Sequence, residues 1–141
     1  MNYMEMFVAV IAVVLFASVA VLINRTMLLQ NDQIVNAAQY LQASHLNHSI
    51  LDEIDAKLFS KQLKFGNIKT NYNVTRNISL PHAGGVWSAQ ITAVDCDSLG
   101  VPLAINDPNN IYVRVQVTTA APGLGHPVVM QRIYTKTHLN L

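Results

Sequence analysis

The sequence predicts an α+β protein: one long N-terminal helix followed by a four-stranded, mainly antiparallel sheet. Three observations predict it. Met6 to Ile23 is an apolar run broken only by Ser18; no proline or glycine occurs between Asn24 and Phe65; and from Gly66 onward the apolar residues alternate. At ~1.5 Å per residue, eighteen helical positions span roughly 27 Å, close to the ~30 Å hydrocarbon core of a bilayer. Glu5 stands at the mouth of this run. A carboxylate beside lipid is costly and therefore signals function by default.

The first segment, residues 1–26, reads as a transmembrane or filament-core helix. A cleaved signal peptide fits poorly, because the first five residues carry no Lys or Arg and Val21-Leu22-Ile23 is a poor cleavage context. Arg25 is the only basic residue near the run, and by the positive-inside rule it favours the wrong orientation for an exported C-terminal part.

Residues 27–65 read as an amphipathic continuation of the helix, from about Asn2 to Lys64 in all. Ile34, Ala38, Leu41, Leu46, Ile50, Ile54 and Leu58 form the apolar stripe, expected to pack on the sheet. Asn36, Gln39, Asp52, Glu53, Asp55 and Lys57 form the solvated face. Lys57, Lys61 and Lys64 suit the negative helix end, and Gly66 is the expected stop. Asn24-Arg25-Thr26, Asn31-Asp32 and Ser44–Ser49 are the expected weak points.

Residues 66–141 read as the sheet domain. The expected strands are Ile68–Leu80, Val86–Val94, Ile111–Thr119 and Val128–His138, with Trp87, Ala89, Ile91, Ala93 and Ile111, Val113, Val115, Val117 facing inward. Pro81–Gly85, Asp107–Asn110 and Ala121–Pro127 are the connecting loops. The amphipathic helix is the expected cover for one sheet face, with the N-terminal half projecting.

Composition excludes several functions. The 141 residues carry a net charge of +1, with 12% charged residues and no basic block, so nucleic-acid binding has no electrostatic footing. Cys96 is the only cysteine, which excludes an internal disulfide and a zinc-cysteine cluster; it reads as a buried thiol. His45 and His48 share a helix face but lack a third ligand, and His82, His126 and His138 read as solvated. Asp95-Cys96-Asp97-Ser98 and Asn106-Asp107-Asn109-Asn110 offer oxygen ligands, but Asp and Asn also serve turns. Asn24, Asn47, Asn73 and Asn77 begin Asn-x-Ser/Thr triplets. The glycines at 84, 85, 123 and 125 make no phosphate loop, and no catalytic constellation or cofactor fingerprint emerges, so the chain reads as a non-enzyme.

Met1-Asn2-Tyr3-Met4-Glu5-Met6-Phe7 and the apolar run resemble the mature form of the type IV pilin and pseudopilin superfamily. Members carry glutamate at the fifth position, about twenty apolar residues, an amphipathic helix and a C-terminal sheet. Position 1 is Met rather than the usual Phe, Tyr3-Met4 replaces the common Leu-Ile pair, and no proline lies near position 22. The resemblance implies a single-pass inner-membrane protein that polymerises through its N-terminal helix into an extracellular or periplasmic filament. Its implied partners are further copies, other pilins and the inner-membrane assembly machinery. It also implies that Glu5 pairs with the N-terminal amine of Met1 in a neighbouring copy, that the chain is given in processed form, and that calcium can sit in a β-loop in some members. A different class of protein reads similarly: a single-pass component of an envelope or secretion complex whose β-domain binds a partner.

Overall fold

A computed structural model describes residues 2–79, 86–104 and 109–136. Helix α1 runs from Tyr3 to Phe59, 57 residues. A single 3-10 turn (Phe65–Asn67) and the short α2 (Ile68–Tyr72) lead into β1 (Val74–Ser79), β2 (Val86–Asp95), β3 (Tyr112–Ala120) and β4 (Val128–Thr135). The four strands form one antiparallel sheet in sequence order, β1-β2-β3-β4. The chain divides into two compact units, Met1–Ala38 and Gln39–Leu141.

In the second unit one face of the sheet is covered by the C-terminal part of α1. Ile50, Leu51, Ile54 and Leu58 from the helix meet Ala89, Ile91 and Ala93 of β2 and Val113, Val115 and Val117 of β3, with Leu63, Phe65, Ile68 and Tyr72 closing one end. The inward parities expected for β2 and β3 are the buried ones, and Trp87 is buried as expected. Ile111 instead lies outside β3 and is exposed.

Three expectations for the helix are corrected. The apolar stripe does not begin at Ile34: Ile34 and Leu41 are 67% and 61% exposed, and the sheet-facing side is Ala43, Asn47, Ile50, Leu51, Ile54 and Leu58. The step from Leu41 to Leu46 is five residues, a rotation of about 140° at ~3.6 residues per turn, so the two halves of the stripe lie on different sides. The helix ends at Phe59 rather than near Gly66. Lys61 takes the left-handed conformation (φ 59°), its N–H donates to the Leu58 carbonyl, and the Leu63 N–H donates to the Lys57 carbonyl, closing the last turn. No break occurs at Asn24, Asn31 or Ser44, because α1 runs through all three.

Ile68–Tyr72, read as the start of a strand, is helical. Ile68 and Tyr72 are both buried, and a spacing of four satisfies the period of a helix as well as that of a strand. Asn73 then does locally what a strand residue would do: its Oδ1 accepts from the Ala93 N–H at 2.6 Å and its Nδ2 donates to the Ala93 carbonyl at 3.1 Å.

The acids Asp52, Glu53 and Asp55 are not simply a solvated face. Each edge strand turns an arginine toward the helix. Arg76 of β1 donates to Glu53 at 2.7 and 3.3 Å, and Arg132 of β4 donates to Asp52 at 3.1 Å and to Asp55. Before these two clamps along the helix, the fully buried Asn47 links it to β3 and β4. Its Nδ2 donates to the Val128 carbonyl at 3.0 Å and its Oδ1 accepts from the Thr119 hydroxyl at 2.5 Å. The Tyr134 hydroxyl adds a bond to the Leu51 carbonyl. Farther up, the β3–β4 connection sits on Tyr40, whose hydroxyl accepts the His126 N–H at 3.1 Å. Gly123 in that connection has φ +95°, and a Cβ there would meet Gln39 Oε1 at 2.9 Å.

Asn47→Ala leaves the buried Thr119 hydroxyl and the half-buried Val128 carbonyl without this partner. Urea unfolding of the full chain in detergent is expected to show a loss of about 2 kcal/mol, the usual cost of buried unsatisfied polar groups. An unchanged midpoint would mean that the bridge contributes nothing.

Candidate functional site

At the N-terminus the chain builds a capped helix start. The Asn2 carbonyl accepts from the Glu5 and Met6 N–H groups at 2.9 and 3.3 Å, and Glu5 Oε2 accepts from the Asn2 N–H at 3.2 Å. This is the glutamate half of a capping box: an Asn before the first helical residue, a Glu at the third. The signal was present in the sequence as Asn-x-x-Glu ahead of an apolar run, and is easily read only as a family landmark. Among the described residues the Asn2 N–H alone reaches the carboxylate, which has room for several more donors. Glu5 borders a shallow surface groove of about 440 Å³ whose other lining residues, Met4, Val8, Ala9 and Ala12, are apolar. Met1, the other residue assigned to assembly, lies outside the described residues.

Beyond Glu5, every described side chain of the first unit is exposed, including Phe7, Val10, Leu15, Phe16 and Leu22. The two hydroxyls in and just beyond the apolar run are satisfied inside the helix: Ser18 donates to the Val14 carbonyl at 2.8 Å and Thr26 to the Leu22 carbonyl at 2.9 Å. A helix of this length and composition can cross a membrane.

The candidate calcium loop is otherwise engaged where it is described. Asp95 is buried against Lys69 at 2.7 Å. Asp97 Oδ1 accepts the N–H groups of Leu99 and Val101, an Asx turn. Asn110 donates to the Cys96 and Tyr112 carbonyls and accepts from the Tyr112 N–H. Asn106 and Asp107 lie outside the described residues. Among the described residues no three His, Cys, Asp or Glu side chains converge on a metal position. His45 and His48 are exposed on the helix, and so is His126 in its loop; His82 and His138 lie outside the described residues. Cys96 is fully buried, and that burial pushes its thiol pKa up, against a partial offset from the Arg114 charge. Of the Asn-x-Ser/Thr triplets, Asn47 is buried and committed to the helix–sheet bridge.

One cluster escaped the sequence reading. Glu53 is shared by Arg76 at 2.7 Å and Lys57 at 2.6 Å, the Tyr72 hydroxyl reaches it at 3.3 Å, and both cations lie over the Tyr72 ring at 5.5 and 5.7 Å. Lys57, Tyr72 and Arg76 line an open surface recess of about 570 Å³ with Gln62, Leu63, Thr70 and Asn71. Nothing in the spacing of Glu53, Tyr72 and Arg76 announces this meeting, since it depends on the register of β1 against the helix.

Comparison with protein-family models, with curated proteins and with solved structures finds no match for this chain.

The hydrogen bond from Arg76, partly opposed by burial and reinforced by Lys57, holds the Glu53 carboxyl at about 2 against an ordinary 4.5. A depressed folded-state pKa contributes stability above the unfolded value and loses it as pH falls. The clamp is therefore at full strength above pH 4.5 and lost toward pH 2. Glu53 is 34% exposed, so solvent screening holds the effect to about 1 kcal/mol. Glu53→Gln is expected to flatten that part of the acid-unfolding profile, measured by circular dichroism across the window. An unchanged slope would overturn the assignment.

Proposed function

We propose that this chain is a pilin-like structural subunit. It is held in a membrane by the apolar part of α1 before assembly and joins a helical filament through the same surface. The observation that carries the reading is Glu5: a single carboxylate one turn into α1, at the mouth of the uncharged apolar run Met6 to Ile23, whose side chains are all exposed. The α+β plan, with a long apolar N-terminal helix continuing into a segment that covers an antiparallel sheet, is compatible with it.

The chemistry follows from the exclusion of water. When such helices leave lipid and pack together, an ionised Glu5 needs a cation, and the N-terminal amine of a neighbouring copy is the partner the resemblance assigns. Removing one member of a buried pair costs roughly 3–5 kcal/mol, whereas the pair itself adds little net stability. The pair therefore acts on register: a misplaced subunit leaves both charges uncompensated. Ala9, Ala12, Ala17, Ser18 and Ala20 allow close helix approach.

The bond from the Asn2 N–H favours one competing reading. There Glu5 only caps its own helix, and the protein is a single-pass anchor whose β-domain binds another envelope component. Glu5→Gln separates the two, because glutamine preserves the capping bond and removes the charge. With an assembly role, the variant inserts normally while the yield of sheared filaments falls at least about tenfold. Normal filaments would overturn the assembly role. Sequencing of the gene is a second check: a short basic leader ending in Gly is expected immediately upstream of Met1, and its absence would count against the reading.

A further inference from the structure

Between Glu5 and Asp52 the chain carries only two Lys, Arg, Asp or Glu residues, Arg25 and Asp32. Seven residues apart on one helix, they share a face to within about 20° and are separated by about 10.5 Å along the axis. Both are exposed, and among the described residues neither enters an ion pair. Their flanks are apolar: Val21, Leu22, Leu28 and Leu29 are 57 to 67% exposed on the same side. Arg25 also works against topology, since a cation just past the apolar run disfavours export of the residues beyond it.

We propose that this face of α1 is a contact between copies of this chain, parallel and displaced by two helical turns, so that Arg25 of one copy meets Asp32 of the next. The proposal rests on the filament reading above. Copies inserted in one bilayer share an orientation, which makes the contact parallel. An unshifted parallel pair sets Arg25 against Arg25 and Asp32 against Asp32. A shift of seven residues replaces both repulsions with one attraction, and brings Leu22 level with Leu29 and Val21 level with Leu28 beside it. Each copy then uses its Arg25 once and its Asp32 once, on different neighbours. Such a contact is heterologous and propagates. An antiparallel arrangement would satisfy both charges within one closed dimer and stop growth.

The test is charge exchange combined with cross-linking in the full chain, expressed in its native cells beside the wild-type protein. Arg25→Asp and Asp32→Arg should each lower the yield of sheared filaments about tenfold, and the double exchange should restore it to within about twofold. Harmless single reversals, or a double variant no better than the singles, would overturn the proposal. In a Cys96→Ser background, Arg25→Cys with Asp32→Cys should give a ladder of disulfide-linked oligomers on mild copper–phenanthroline oxidation. Each single cysteine should give no ladder. Dimers alone would indicate the antiparallel pair, and no cross-link would indicate ordinary interfacial charges; either result overturns the contact. Failure of the wild-type control to polymerise would refute the filament reading itself, and is distinguishable because no variant is involved.

Discussion

The second unit depends on how one helix segment is held across one sheet face. Apolar packing of Ile50, Leu51, Ile54 and Leu58 on β2 and β3 supplies the driving force, since burying each such side chain contributes roughly 1.5–3 kcal/mol. Apolar contact alone is indifferent to a slide or a small rotation of the helix. The polar contacts remove that freedom. Asn47 ties the helix to the β3–β4 end of the sheet, and Arg76 and Arg132 grip it from the two edges through Glu53 and through Asp52 and Asp55. The three acids fall within four consecutive residues, so one turn of helix receives both edges.

This arrangement explains which parts of the fold could be read in advance. Strands β2 and β3 have clean two-residue alternation because one side is wholly buried, and their inward faces follow from Trp87, Ala89, Ile91 and Ala93 and from Val113, Val115 and Val117. The apolar run and Glu5 were equally legible, since neither needs a tertiary partner to be noticed. The edge strands were harder. Arg76 lies on the inward parity of β1 and Arg132 on that of β4, where an alternation rule expects apolar residues. A charged residue at such a position makes sense only once its partner is known. Asn47 was hidden for the same reason: its sequence context spells a glycosylation triplet, while its neighbours in space lie 72 and 81 positions further along the chain. Ile68 and Tyr72 were misassigned because a four-residue spacing fits either period.

The two units differ in what satisfies them. Gln39–Leu141 contains its own apolar core and its own polar ties. Met1–Ala38 satisfies its backbone and its hydroxyls internally but leaves its apolar surface exposed throughout the described residues. A large exposed apolar surface marks contact with lipid or with protein. Ionised side chains are sparse along that surface: a carboxylate at the start, and one cation and one anion two turns apart near the end. In apolar surroundings such isolated charges set position rather than affinity.

The inward arginines carry a further consequence for the two open edges of the sheet. An open sheet ends in two strands with spare backbone donors and acceptors, an invitation to stack edge against edge. On both terminal strands here, a guanidinium is turned beneath the sheet and held there by carboxylates of the helix. An incoming strand would have to lie beside that tethered charge, which discourages amyloid-like stacking. The apolar surface of the first unit has no such guard, so association through the helix is left open while association through the sheet edges is opposed.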